Sequence, residues 1–333
     1  MGLRGYIIKR VIYTFILVLG VMTLNFFIFE AIPGNPLEGF VSKPGMNPDT
    51  VKKLREAFGI GKPWFVKYPT YMKSMFLFDF GTTSLLTGNQ KVLDLIENGL
   101  GNTLLLMGVS SIFAVIIGIL IGAYAAHERG KAIDGAIVIT SLATFALPTF
   151  WMGLLAQAIF GFGLHWLPIS GYQTNTVPGS ALDVYLRNPF NYLINRLSYL
   201  VLPATILFLF TYGGFVLLTR ACVLETMTED YVLTARAKGV KERSVLFRHI
   251  LKNASLPIIT DVALAFGFIL TGAIITEQVF TYPGLGQWIF YAISNEDYPV
   301  MQAIFYVIAL CVIIANFAAD LTYGIVDPRI KYK

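Results

Sequence analysis

The feature that most constrains this chain is a series of long apolar runs that contain almost no charge. The first run, from Val11 to Phe29, has nineteen residues and no Asp, Glu, Lys or Arg. That length suits the ~20 residues with which a helix crosses a bilayer, and it exceeds the roughly 7 to 15 residues of a signal-peptide core. No Ala-x-Ala cleavage pattern follows it, so we expect the run to stay in the protein as a membrane span.

Further runs of this kind predict that the chain crosses a membrane six times. Hydrophobic residues make up 56% of the chain, above the roughly 45–50% of a soluble domain. The six predicted spans are residues 11–29, 102–126, 133–160, 199–219, 257–280 and 299–326. We therefore predict an all-α polytopic membrane protein.

The distribution of basic residues predicts the orientation of these spans. With a cytoplasmic N-terminus, the inner segments hold 15 of the 25 Lys and Arg residues, in roughly half the length of the outer segments. Because basic residues accumulate in cytoplasmic loops, we predict that both termini are cytoplasmic. This topology also explains the net charge of +5 without a nucleic-acid partner.

The longest inner segment, Arg220–Pro257, is polar and is called here the polar loop. Thr226 and Glu229 have the T-x-x-E spacing of a helix capping box. Helix-forming residues continue from there to Lys238, and Gly239 can adopt the left-handed conformation that ends a helix. The first half of the loop therefore predicts a short helix that bends at Gly239.

The second half of the polar loop predicts another amphipathic helix. Phe247, Leu251 and Ala254 follow one another at i, i+4 and i+7 and define an apolar face. From these residues alone, two interpretations of the loop stay open. It is either a basic segment that lies on anionic lipid headgroups or a docking element for a soluble partner protein.

The polar loop also resembles a known family. Asp230–Gly239 reads DYVLTARAKG and is followed by Leu256-Pro257, which resembles the cytoplasmic loop of ABC importer membrane subunits in the peptide and nickel permease branch. Other strings resemble the B-type subunit of this branch in the expected order, over nearly the whole chain. They are Leu19–Pro36, Phe58–Tyr68, Phe78–Thr83, Leu147–Leu155, Trp166–Tyr172, Tyr282–Trp288 and Asp327–Ile330.

The resemblance implies a function and a set of partners. It implies a type I ABC importer permease fold and uptake by alternating access in a prokaryotic plasma (inner) membrane. The implied partners are a second, C-type permease subunit, two ABC ATPase subunits, an extracytoplasmic substrate-binding protein and membrane lipid. ATP and Mg²⁺ would bind to the ATPases, and this chain would bind no cofactor. Peptides are the leading substrate, with nickel and oligosaccharides as alternatives.

The resemblance also implies which residues of the loop dock onto an ATPase. The general motif begins Glu-Ala-Ala, whereas this chain has Leu233, Thr234 and Ala235, so Asp230 or Glu229 is expected to supply the acidic group. Polar contacts are assigned to arginine and lysine, close apposition to the alanines and the bend to the glycine. The predicted docking residues are Asp230, Tyr231, Thr234, Ala235, Arg236, Ala237, Lys238 and Gly239.

The outer segment after the first span is predicted to fold as a small helical extracytoplasmic element. Asn47, Pro48 and Gly59 frame one helix, and a second begins after Pro63 and bends or ends at Pro69. This element is either a lid over the spans or, by the resemblance, a platform for the binding protein. The predicted division of the chain is 1–30 (N-terminal segment and first span), 31–101 (extracytoplasmic element) and 102–333 (five-helix permease core with the polar loop).

Small residues and helix breakers suggest how the spans pack. Ala114, Gly118, Gly122 and Ala126 form a stripe that lets another helix approach closely. Pro148, and Gly213 with Gly214, are expected to break or loosen their helices. These features suit a bundle that switches between two packings, although static packing explains them as well.

Four acidic residues lie in or near the spans: Glu30, Asp261, Glu277 and Asp320. Their positions near predicted span ends favour interfacial placement and capping over a proton relay. Asp261, one turn into the fifth predicted span, is the candidate for a pathway or switching role.

Catalytic and metal-binding patterns are missing from the sequence. It contains no Walker A motif and no H-E-x-x-H, and His127, His165 and His249 are far apart. We therefore predict that the chain is not an enzyme and that separate subunits hydrolyse ATP. An ion-coupled secondary transporter is the alternative class, but six spans without an evident repeat and with sparse charge disfavour it.

Overall fold

The computed structural model describes residues 3–32, 62–83, 90–178, 180–268 and 273–326, and it is almost entirely helical there. The elements are α1 (Leu3–Ala31), α2 (Trp64–Phe76), β1 (Thr82–Thr83), β2 (Gln90–Lys91), α3 (Val92–His127), α4 (Ala132–Ala146), α5 (Thr149–Ala156), α6 (Ala181–Leu186), α7 (Pro189–Thr226), α8 (Asp230–Ala237), α9 (Glu242–Ser244), α10 (Leu251–Phe268), α11 (Ile274–Val279), α12 (Leu285–Ser294) and α13 (Tyr298–Val326). Two π-helical segments follow α5 and α9, Gln157–Gly163 and Val245–Ile250. The predicted helix at 47–59 and the string at 327–330 lie outside the described residues.

Several helices are long and apolar enough to cross a bilayer. They are Gly5–Ala31 within α1, all of α3, all of α7 and Tyr298–Ala318 within α13. A fifth candidate consists of α4 and α5 with its π-helical extension, a pair bent by 97°. The all-α polytopic fold is thereby confirmed. Part of the predicted span at 257–280 lies outside the described residues, so the number six stays a prediction.

The third predicted span is not one continuous helix. α4 ends at Ala146, Leu147 is extended (φ −77°, ψ 133°), and Pro148, also extended, is the N-cap residue of α5. Proline disfavours helical geometry in the residue before it, which explains the break at this point. The expectation that Pro148 loosens the span is confirmed, and the interruption is complete.

α7 runs through Gly213 and Gly214 without interruption, so the expectation that they break the fourth span is wrong, whereas a loosening of the helix there stays a prediction. Gly213 instead permits close packing, since an added Cβ would lie 2.5 Å from the Ser141 carbonyl oxygen in α4. Gly122 of the small-residue stripe acts in the same way, with a Cβ placed 2.5 Å from the Val216 oxygen in α7. The stripe is thus confirmed as a site of close helix approach.

The described chain separates into two compact units. The first contains α1, α2, the antiparallel β1–β2 pair, the start of α3, α12 and α13. In it α1 packs along α13, and Arg10 Nη1 lies 2.6 Å from Asp320 Oδ2. The beginning of α1 and the last part of α13 therefore lie at the same end of this unit.

Helix α2 packs on α1 within the first unit. It begins after Pro63, as predicted, but Pro69 does not end it. Lys67 Nζ lies 2.7 Å from Glu30 Oε1. The buried Asn25 amide donates to the Tyr71 hydroxyl and to the Gln302 carbonyl, each at 3.0 Å. The contacts of Lys67 and Tyr71 fix α2 against the C-terminal part of α1.

The second unit contains the rest of α3, α4 to α10 and most of α11. α7 is its central helix, because α4, α5 and α10 all pack against it. In the π-helical segment after α5, the Gln157 amide donates to the Ile169 and Val279 carbonyls at 2.7 and 2.9 Å. The polar loop belongs to this unit.

Candidate functional site

The polar loop begins differently from the predicted capping box. α7 continues to Thr226, whose hydroxyl donates to the Cys222 carbonyl inside the same helix at 2.8 Å. Glu229 occupies the N-cap position of α8 without a side-chain cap hydrogen bond. The predicted box is wrong because its first residue belongs to the preceding helix.

The predicted bend at Gly239 is confirmed. Gly239 has φ +74°. Its N–H donates to the Arg236 carbonyl at 2.9 Å, and the Val240 N–H donates to the Ala235 carbonyl at 3.3 Å. This pair of bonds is the Schellman arrangement, which satisfies the last carbonyls of a helix and requires a left-handed residue. Glycine adopts that conformation without a steric cost.

One face of α8 is buried within the second unit. Val232 is fully buried and Ala235 is 6% exposed. Both belong to an apolar cluster with the end of α3, the end of α7 and the start of α10. Its members are Ala123, Ala126, Cys222, Val223, Val232, Ala235, Val245, Ile250, Ala254 and Ile258. The polar loop therefore packs against the C-terminal ends of α3 and α7.

The predicted apolar face of the second half is only partly correct. Ala254 is 2% exposed, but Phe247 is 49% exposed. The buried residues are Val245 and Ile250, five positions apart, because the segment between them is π-helical. A 3.6-residue period does not hold across such a segment, so the prediction for Phe247 is wrong.

The opposite face of α8 carries most of the predicted docking residues. Asp230, Tyr231, Thr234, Ala237 and Lys238 are all exposed, as is Gly239. Leu233, at the position of the family's glutamate, is 55% exposed. Ala235 does not join them, because its side chain lies in the cluster described above.

Arg236 has a partner within the loop. Its Nε lies 3.0 Å from Glu242 Oε1, and Nη2 lies 3.4 Å from Oε2. The pair connects α8 to α9 across Gly239, and both side chains are partly open to solvent. Arg236 therefore braces the bend as well as bordering the exposed face.

A charged contact that the sequence did not predict lies at the first residue of the polar loop. Arg220, near the end of α7, approaches Asp134 in the first turn of α4 at 2.6 Å (Nε–Oδ1) and 2.8 Å (Nη2–Oδ2). The Gly130 N–H donates to Asp134 Oδ2 at 3.1 Å. A signal was present, because an aspartate at the edge of an apolar run needs a counter-charge at the same membrane face.

The four acidic residues near the spans have different surroundings. Glu30 and Asp320 are the partners of Lys67 and Arg10, and Glu277 is fully buried. Asp261 is exposed on α10, and no described residue forms an ion pair with it. Its pathway or switching role stays a prediction. Within the described ranges, no three His, Cys, Asp or Glu residues are close enough to hold a metal ion.

The spanning helices and the packed polar loop define the class as a multi-pass membrane protein with a structured loop outside its spans. Two family models match it. Residues 118–332 match the binding-protein-dependent transport system inner membrane component, and residues 3–107 match the N-terminal part of such components. The chain therefore belongs to the family of inner membrane components of binding-protein-dependent transport systems. It is a permease component, as its resemblance to ABC importer subunits predicted.

Three similar permeases match along almost their full length. The chain is 37% identical over 330 residues to the oligopeptide transport system permease protein AppB of Bacillus subtilis (strain 168), covering 99% of this chain and 100% of that one. It is 34% identical over 320 residues to the di/tripeptide transport system permease protein DppB of Pseudomonas aeruginosa (strain UCBPP-PA14), covering 94% and 95%. It is 33% identical over 342 residues to the dipeptide transport system permease protein DppB of Escherichia coli (strain K12), covering 98% and 99%.

Proposed function

We propose that this chain is the B-type translocation subunit of an ABC importer for di- or oligopeptides. Peptides are favoured over nickel and oligosaccharides because the similar permeases are named for peptide transport. ATP and Mg²⁺ are assigned to separate ATPase subunits, and no cofactor is assigned to this chain. The observation that carries the proposal is α8, which has a buried face fixed to the spanning helices and an exposed face open to a partner.

The exposed face of α8 is the proposed ATPase-docking surface. Lys238 supplies a cation, Asp230 an anion, and Tyr231 and Leu233 apolar area at this face. Ala237 is the small residue that permits close approach, whereas Ala235 serves internal packing. Because α8 shares an apolar cluster with the end of α7, a displacement of the docked helix must also displace α7.

The proposed topology places both termini in the cytoplasm. The Arg10–Asp320 pair supports placing the start of α1 and the last part of α13 on the same side of the membrane. The excess of basic residues in the inner segments then selects the cytoplasmic side. Residues 31–101 become extracytoplasmic and are proposed as the platform for a substrate-binding protein. The complex is completed by a C-type permease and two ATPases.

The docking surface is tested by charge reversal and co-purification. A tagged chain is purified from its native membrane, and the co-purifying proteins are identified by mass spectrometry and assayed for ATP hydrolysis. Lys238→Glu is expected to reduce the recovery of ATPase subunits. The matched control is Lys73→Glu, an equal change at an exposed lysine of α2 on the proposed outer side. Equal ATPase recovery with both variants would contradict docking through α8.

A further inference from the structure

The ion pair between Asp134 and Arg220 joins two different spans beside the proposed docking surface. The Asp134 side chain is 7% exposed and that of Arg220 27%. The carboxylate accepts three hydrogen bonds, two from the guanidinium and one from the Gly130 N–H. The carboxylate is buried while the guanidinium is partly exposed, and the pair has one preferred geometry, because the planar guanidinium matches a carboxylate along two parallel bonds.

One side of this pair connects directly to the docking helix. Arg220 lies three residues before Val223 on α7, which is about one helical turn. Val223 is fully buried in the cluster that also contains Val232 and Ala235 of α8. The last turns of α7 therefore carry the ion pair and the packed docking helix together.

The other side of the pair connects to the bent span. Asp134 lies in the first turn of α4, which ends at the 97° bend before α5. Along α4, the Ser141 backbone lies directly against Gly213 of α7. At α5, a Cβ on Gly153 would lie 3.1 Å from the Val279 side chain, so this helix packs against α11. α4 and α5 thus connect the ion pair to α11 within the second unit.

A role in stability alone does not require this charged pair. Replacing a buried ion pair by apolar residues of similar volume is often neutral or stabilising, because both charges lose hydration when they are buried. What an apolar pair does not reproduce is the fixed direction and distance between two helix ends. We propose that Asp134 and Arg220 are positioning residues that transmit the displacement of α8 to the bent α4–α5 span. This inference rests on the proposed function, and it assigns to the pair the coupling of solute uptake to ATP hydrolysis.

The test uses the complete importer complex reconstituted in liposomes, with peptide uptake and ATP hydrolysis measured on the same preparation. Asp134→Asn removes the charge, and Arg220→Lys keeps a cation but loses the two-bond geometry. Both variants are expected to lower uptake per ATP about tenfold while hydrolysis stays within about twofold of wild type. The control is Glu128→Gln, which removes one carboxylate charge from the connection between α3 and α4. The ion-pair partner of Glu128, Lys131, is 69% exposed. The uptake per ATP of Glu128→Gln is expected to equal that of the wild type.

A double variant separates positioning from simple stabilisation. Asp134→Leu with Arg220→Met replaces the pair by apolar side chains of comparable size and is expected to restore assembly and thermal stability. If the pair positions the helices, uptake per ATP stays low in this variant. Wild-type ratios in Arg220→Lys and in the double variant would overturn the inference. Wild-type complexes that show no ATP-dependent uptake would instead refute the proposed function, so the two failures are distinguishable.

Discussion

Substitutions at Gly239 test whether the bend of the polar loop is required for transport. The residue has φ +74°, and nothing lies within 4 Å of an added Cβ. A side chain at this position therefore encounters no steric contact, and its cost comes from the backbone conformation alone. For an ordinary L-residue the left-handed conformation costs about 1–2 kcal/mol, with β-branched residues at the upper end and asparagine well below it.

The predicted effect can be worked out from these values. Gly239→Val costs about 2 kcal/mol, and because each ~1.4 kcal/mol is about tenfold, the bent conformation becomes roughly thirtyfold less favourable. The Schellman bonds from Gly239 and Val240 are weakened by the same factor, because they form only in the bent conformation. We expect ATP hydrolysis to continue while peptide uptake falls strongly. Gly239→Asn should retain most of the uptake, because asparagine tolerates the left-handed region.

The assay for this series is uptake and ATP hydrolysis by the reconstituted complex, with assembly verified by gel filtration. We expect uptake per ATP to decrease in the order Gly, Asn, Ala, Val at position 239. If asparagine were as damaging as valine, side-chain bulk at a partner surface would be the cause and not the backbone. If valine retained wild-type uptake in a normally assembled complex, the bend would have no role in coupling.

Two further predictions concern the stability of each unit. Gly213→Ala should lower the thermal unfolding midpoint in detergent, because its Cβ would lie 2.5 Å from the Ser141 oxygen. Gly214→Ala is the control and should not lower the midpoint, since nothing lies within 4 Å of a Cβ at that position. Equal midpoints for the two variants would refute the close packing at Gly213. In the first unit, burial raises the pKa of the Tyr71 hydroxyl, with the hydrogen bond from Asn25 opposing the shift. The neutral Tyr71 phenol therefore stabilises the folded state fully at pH values below about 10, the pKa of tyrosine in the unfolded chain. This stabilisation is lost as the pH rises through the higher pKa of Tyr71 in the folded state. Tyr71→Phe should flatten the fall of the unfolding midpoint between about pH 9 and 12, and an unchanged slope would contradict the assignment.

The sequence predicted those features that depend on local rules. Apolar run lengths identified the spans, because bilayer thickness sets the number of residues required. Gly239 was recognised because few other residues end a helix in the left-handed conformation. The stripe containing Gly118 and Gly122 was recognised because small residues at a spacing of four share one helix face. In each case the physical cause lies within a few neighbouring residues.

The features that escaped prediction depend on contacts between distant segments or on irregular helix geometry. Asp134 and Arg220 are separated by 86 positions, and their pairing follows from the packing of α4 on α7. Phe247 was assigned to the buried face because a regular helix was assumed, whereas a π-helical segment shifts the register. Gly213 was interpreted as a breaker because glycine lowers helix propensity, yet tertiary packing against Ser141 overrides that preference.

In the proposed function, this chain forms the membrane pathway of an ATP-driven peptide importer. This function is tested most directly by purifying the complex through a tag on this chain, reconstituting it in liposomes with its binding protein, and measuring the uptake of a radiolabelled dipeptide. We expect uptake that requires ATP and Mg²⁺ and is unaffected when ion gradients are collapsed. Uptake by the chain alone, driven by an ion gradient and independent of ATP, would contradict it.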